Sequence, residues 1–345
     1  MKIRINMLSQ AESVKGQGVA SAYREQIELI KQIDDFELGF NDKSKDYDIY
    51  HIHSPNLRYK LKMNNKHLNI VHVHFVPSKN DGSLKLPPLT NFIFNKYVES
   101  LYKKADELVV VNPCFISDLE KLKISRDKIT YIPNFVDSSR FYKLHKDAID
   151  VIKEKYGVQN GRFVVLGCGQ IQTRKGFSDF IEVAKKNSDM EFIWAGGFSF
   201  GRLMHGYRKN RKLLKNLPQN VHHLGIVDRN DMNDIFNICD VLFMPSFMEL
   251  FPMTILEACN VEKPILVRDL DLYKPILFSK YCKGNSIQEF SNMLIKLRND
   301  TTYYKEQIEN SKFIKSFYNK DVLLKTWKEY YHRIYDKWIS KKKSK

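Results

Sequence analysis

Cysteine is scarce and unpaired in this 345-residue chain: Cys114, Cys168, Cys239, Cys259 and Cys282 are scattered, odd in number and form no CxxC pair. That pattern argues against a disulfide framework or a zinc site and points to a reducing cytosol. No uninterrupted apolar stretch approaches the ~20 residues of a membrane-crossing helix, although 43% of the residues are hydrophobic. The amino terminus, KIRINML, enters a strand-like alternation at once, without the apolar core and cleavage site of a secretion signal. Zinc-finger, RNA-recognition and helix-turn-helix cues are missing, which argues against a nucleic-acid partner. A complete GxGxxG fingerprint and a suitably placed YxxxK pair are missing too, which argues against an epimerase or dehydrogenase of nucleotide sugars.

Positive charge is abundant. Lys and Arg number 56 against 40 acids, a net +16. The surplus gathers in NLRYKLKMNNKHL, RLMHGYRKNRKLLKNL and KWISKKKSK. Leu57, Tyr59, Leu61, Leu203, Met204, Tyr207, Leu213 and Leu214 are interleaved with the basic residues, the mixture expected of a helix lying on an anionic membrane surface. A merely solvated basic face is the competing reading.

The length fits two domains at about 150 residues each. Short strand-like runs at 2–8, 48–53, 69–75, 106–111 and 128–132 alternate with helical segments such as 18–32 and 91–104, a doubly wound parallel pattern. A second such set begins at residue 162 and continues through EFIWAGG, VHHLG, DVLFMP and PILV. The expected division is 1–145, 146–318 and a terminal helix with a basic tail over 319–345, the first boundary lying between about 138 and 160, after IPNFVD and within a polar stretch that includes Gly157, Asn160 and Gly161.

The most informative segment is ELFPMTILE, in which Glu249 and Glu257 bracket a proline-marked loop-to-helix transition. A helix opening near Pro252 turns Glu257 back toward the loop that carries Glu249, and its free N–H groups suit a phosphate. With its surroundings, DVLFMPSFMELFPMTILEACNVEKPILV, this segment resembles the family 4 glycosyltransferases of the GT-B fold. The resemblance implies two facing Rossmann-like domains, a final helix crossing back to the first, and a retaining reaction with a nucleotide-sugar donor and no metal or other cofactor. It implies that Glu257 holds the nucleotide ribose and Glu249 the donor sugar, with Leu250, Phe251 and Pro252 beside them. Leu250 stands where many relatives have glycine.

In GQIQTRKG, Lys175 matches the family's phosphate-binding lysine, whereas Gln170 occupies the usual arginine position and Arg174 is the candidate replacement. A fixed cation there stabilises the charge that grows on a leaving diphosphate. The loop after the first strand offers Gly16, Gln17 and Gly18, weak as a lone GxG but placed at the sheet edge where ligands bind. Gly196 and Gly197 fit either a nucleotide near backbone or tight packing. Asn134 fits either a cleft position or a simple turn.

Two HxH pairs, His51 with His53 and His72 with His74, lie in strand-like segments, each pair on one face. No acids or cysteines complete a ligand set, so no metal site is expected. The resemblance makes His74 the active-site histidine. His72 reads as a satisfied interior residue and His53 as a candidate for the acceptor side. SVKGQGVASAY, GQIQTRKG and WAGGFSFG together resemble bacterial enzymes that add a second hexose to glucosyl-diacylglycerol. The implied function is transfer of galactose or glucose from a UDP-sugar to a membrane glycolipid by an enzyme on the inner face of the cell membrane. A polysaccharide or protein acceptor is the first alternative; a non-catalytic basic binding protein is another, but it would leave the donor-site residues without a purpose.

Overall fold

The computed structural model describes residues 2–10, 18–77, 87–199, 201 and 204–344. Two six-stranded sheets form its frame. The first contains β1 (Ile3–Leu8), β2 (Phe36–Phe40), β3 (Ile49–Ile52), β4 (Leu68–Val73), β5 (Glu107–Val110) and β6 (Ile129–Tyr131), in the order β2-β1-β3-β4-β5-β6. The second contains β7 (Val164–Cys168), β8 (Glu191–Ala195), β9 (Val221–Gly225), β10 (Val241–Met244), β11 (Ile265–Arg268) and β12 (Cys282–Gly284), in the order β12-β11-β10-β7-β8-β9. Neighbouring strands pair in parallel throughout.

These orders fix where ligands can go. Strand order reverses between β1 and β3 in the first sheet and between β7 and β10 in the second, which opens a crevice at the carboxyl ends of those strands. Parallel strands are covered on both faces, so they read as apolar runs: Val164, Leu166, Leu242 and Ile193 pack on one side of the second sheet, and Val165, Phe192, Trp194 and Phe243 on the other. β2 and β12 escape the sequence reading because they are edge strands of five and three residues, and each contains a glycine.

The final helix, Lys320–Lys343, opens on Asn319, whose side chain caps Val322 N–H. Leu323, Trp327, Tyr330, Tyr331 and Ile334 from it join Ile5, Ile49, Ile70 and Val109 in one cluster. The helix therefore crosses from the second domain back onto the first, as the resemblance implies. Among the described residues, no helix is long and apolar enough to cross a membrane.

The basic stretches separate into two kinds. In the helix Leu57–Lys62, Leu57 and Leu61 are exposed as expected, but Tyr59 is buried with its hydroxyl on Ser9 O. Around the helix Tyr207–Leu214 the expectation fails: Met204 is buried, Leu213 and Leu214 pack on the second-domain core, and Tyr207 lies edge-on to Phe198. Leu203 lies outside the described residues. The apolar stripe of that helix serves the core, and its outward face is purely basic.

Candidate active site

The loops that follow β7 and β10, the two switch-point strands of the second sheet, are pinned to each other. Phe247 N–H donates to Arg174 O at 2.7 Å. Gly176 adopts φ +71°, and a Cβ there would meet Pro245 O at 2.3 Å, so only glycine lets the loops approach so closely. Gly196, at φ +139°, is equally constrained, since a Cβ would lie 2.0 Å from Gly169 O. Packing therefore accounts for Gly196 by itself. Gly196→Ala is expected to cost about 2–3 kcal/mol, read as a lowered thermal midpoint.

This pinning gathers the charges. Lys175 Nζ donates to Glu249 Oε1 at 2.5 Å, and Arg174 Nη1 lies 3.9 Å from Glu249 Oε2 while donating to Met248 O at 3.1 Å. Arg174 and Lys175 thus reach the same carboxylate, although they are adjacent in sequence. Burial pushes the Glu249 carboxyl up, but Lys175, Arg174 and Ser246 outweigh it and the net direction is down. Burial draws Lys175 below the ordinary lysine range, with Glu249 opposing. An anionic group brought here would meet two cations already held by one buried carboxylate. Gln170 accepts a bond from Gln172 Nε2 at 3.3 Å.

Glu257 lies in the helix Met253–Asn260, which opens at Pro252 as expected. Leu250 is half-buried, and the buried Phe251 packs edge-on against Tyr318. Glu257 Oε1 accepts from Arg229 Nη1 at 3.0 Å. The same guanidinium reaches Glu25 Oε1 at 2.6 Å and Ser21 Oγ at 2.8 Å, both on the first-domain helix Gly18–Ile30. Burial raises the Glu257 carboxyl, and Arg229 opposes that. Cys168, at the end of β7, senses both halves: burial pushes its thiol up, Glu257 adds to this and Lys175 opposes it.

Arg229, Glu25 and Ser21 went unnoticed in the sequence, as did Asn112. Asn112 is fully buried at the end of β5 and donates to Leu250 O at 3.0 Å and Leu272 O at 3.2 Å, tying the first domain to the Glu249 loop. Its one signal is an asparagine-proline break after VVV. Gly16 and Gln17 lie outside the described residues. Gly18 starts the helix whose first turn carries Ser21, so that helix end comes to the Glu257 side. Gly197 packs beside Ile226, and Asn134 is half-buried just after β6.

All four strand histidines come together. His74 Nε2 is 3.4 Å from His53 Nδ1, and His51 Nδ1 is 2.6 Å from Tyr331 Oη. Burial lowers His74 to about 4 and the other three well below the usual imidazole range, helped by one another. His72 corrects the expectation of a satisfied interior residue: it is interior, but neither ring nitrogen has a partner. His53, His74, Phe75 and Tyr102 border a small cavity on the side of the helix Pro88–Lys104.

Known proteins resemble this chain in sequence and in fold. Residues 20–140 match the model described as Glycosyltransferase Family 4 and residues 148–313 the one described as Glycosyl transferases group 1. Among solved structures, the sucrose-phosphate synthase of Thermosynechococcus elongatus superposes with a TM-score of 0.80 at 12% identity, covering 97% of this chain and 100% of that one. The Anabaena protein HepE in complex with UDP-glucose gives 0.76 at 15% identity, over 96% and 100%. The alpha-galactosylglucosyldiacylglycerol synthase of Streptococcus pneumoniae is 39% identical over 96% of this chain and 90% of its own. The processive diacylglycerol alpha-glucosyltransferase of Acholeplasma laidlawii is 28% identical over 89% and 91%. The 39% identity, running through both halves on two parallel sheets with a crossing final helix, means that the chain belongs to the family 4 glycosyltransferases of the GT-B fold.

Proposed function

We propose that this glycosyltransferase moves a hexose, galactose or glucose, from a UDP-sugar to a membrane glycolipid such as glucosyl-diacylglycerol, with retention of configuration. The observation that carries the donor half is the convergence of Lys175 and Arg174 on Glu249 at the second-sheet switch point. On this reading Lys175, with Arg174 and the helix amino terminus at Pro252, stabilises the leaving diphosphate. Glu257 accepts from the ribose hydroxyls and Glu249 from those of the donor sugar. The leaving phosphate helps remove the acceptor proton, so neither a protein nucleophile nor a metal ion is required. His74, with His53 and Asn134, shapes the acceptor side. A structural neighbour of the same fold holds UDP-glucose, and the S. pneumoniae relative is named for a glycolipid product.

The surface that supports a lipid acceptor is on the first domain. Leu57 and Leu61 of the helix Leu57–Lys62 stand exposed, as do Leu89, Phe92 and Ile93 of the helix Pro88–Lys104. The two helices are tied together by Lys60 to Ser100 and by Lys104 Nζ to Lys60 O. Arg58 and Lys62 adjoin Leu57 and Leu61 in sequence, and Lys103 and Lys104 end the helix Pro88–Lys104. Apolar burial of about 1.5–3 kcal/mol per large side chain adds to about 1 kcal/mol per basic residue near an anionic leaflet.

Sedimentation with anionic vesicles is expected to fall about tenfold or more in Phe92→Glu/Ile93→Glu. Reversal of Arg208, Lys209, Arg211 and Lys212 is expected to remove only a salt-sensitive part. Both variants keep UDP-sugar binding. Equal sedimentation on anionic and neutral vesicles, unmoved by either variant, would favour a soluble acceptor. Purified protein offered UDP-glucose or UDP-galactose with glucosyl-diacylglycerol, a soluble oligosaccharide or a peptide tests the acceptor class directly.

A further inference from the structure

The histidine cluster of the first domain contains more than the acceptor side requires. His51 and His53 from β3 and its end, and His72 from β4, project from one face of the sheet beneath the final helix, all buried. Their rings stack at 5.4 Å between His51 and His72 and lie 4.8 Å apart between His53 and His72. One ring nitrogen from each falls within 4.8 Å of the others.

A neutral imidazole holds one proton and one bare lone pair. His51 Nδ1 faces the Tyr331 hydroxyl and His53 Nδ1 faces His74 Nε2. With those Nδ1 positions protonated and donating, Nε2 of both rings is bare, and neither has a partner. His72 has no partner at either nitrogen. Fixing one ring nitrogen by a hydrogen bond so that the other can ligate is the arrangement that metal-binding histidines adopt. Three imidazoles without an oxygen donor among them suit zinc, cobalt, nickel or copper ions and not magnesium or calcium.

We propose that His51, His53 and His72 form a binding site for a borderline divalent transition-metal ion of the zinc class, separate from the sugar-donor site. Zinc–nitrogen bonds are about 2.0–2.1 Å long, so binding draws the three rings inward from their present spacing. The ion then acts in two directions: through His53 on His74 at the acceptor side, and through His51 and Tyr331 on the helix that crosses between domains.

The test uses the full chain, stripped with a chelator and reloaded with zinc or cobalt. The expected result is one ion per chain retained through desalting, a cobalt d–d absorption of low coordination number, and zinc X-ray absorption showing three imidazole nitrogens. Tyr331→Phe removes the partner of His51 and is expected to weaken affinity by about 10- to 100-fold. His72→Gln abolishes retention, whereas the control His222→Gln, at the Glu191 pair on the second domain, leaves it intact. No retained ion overturns the proposal. So does an ion kept equally by Tyr331→Phe and His72→Gln, or one ligated by fewer than three imidazoles. If His72→Gln fails to fold, the wild-type absorption and Tyr331→Phe decide.

Discussion

Lys175→Ala lowers turnover with a UDP-hexose donor by about a hundredfold or more, and Arg174→Ala lowers it by less. Lys175 is the nearer of the two cations to Glu249, 2.5 Å against 3.9 Å. As the glycosidic bond breaks, charge accumulates on the diphosphate, and a fixed cation in a water-poor site stabilises that transition state more than it does the bound donor. Loss of Lys175 therefore appears in kcat more than in donor affinity. It also leaves the buried Glu249 with Arg174 as its remaining cation, so the Glu249 carboxyl moves upward and loses its hold on the sugar side. Steady-state kinetics on both variants, checked for folding by circular dichroism, give the comparison. Near-normal turnover in both would move the diphosphate away from the β7–β10 crevice.

Glu257→Gln weakens UDP-sugar binding by about 1–3 kcal/mol, the scale of a hydrogen bond to a charged group. The structure makes this substitution informative. Arg229, which donates to Glu257 at 3.0 Å, keeps its second carboxylate, Glu25, at 2.6 Å. The guanidinium is not orphaned, so the fold is preserved and calorimetry reads the donor site alone. Unchanged affinity in a folded variant would remove Glu257 from the ribose role.

The site elements legible in the sequence are those whose signal is local. Pro252 marks the helix opening within the same segment as both glutamates, and the Lys175 loop is set by a strand, a glycine and a helix in immediate succession. What was illegible depends on the two domains meeting. Asn112 and Leu250 are separated by 138 positions, and Arg229 and Glu25 by 204, so no spacing rule connects them. The helix Tyr207–Leu214 illustrates a different limit. Apolar residues at helical spacing describe a stripe equally well whether it meets a membrane or a protein core, and only packing on the second sheet resolves it. The exposed face of Pro88–Lys104 has the same ambiguity, because Leu89, Phe92 and Ile93 have the helical spacing of a core-facing stripe although all three are exposed.

The central claim is that a UDP-hexose bound at the β7–β10 crevice is transferred to a glycolipid presented by a membrane. Isotope-labelled UDP-galactose and UDP-glucose, incubated with the purified chain and vesicles containing glucosyl-diacylglycerol, test it most directly by mass spectrometry and NMR of the extracted lipid. The expected product is the acceptor lengthened by one labelled hexose in the α configuration, formed from one of the two donors and strongly reduced with Lys175→Ala. Failure to label the lipid from either donor while a soluble oligosaccharide or peptide is labelled, or a product of β configuration, would contradict the account.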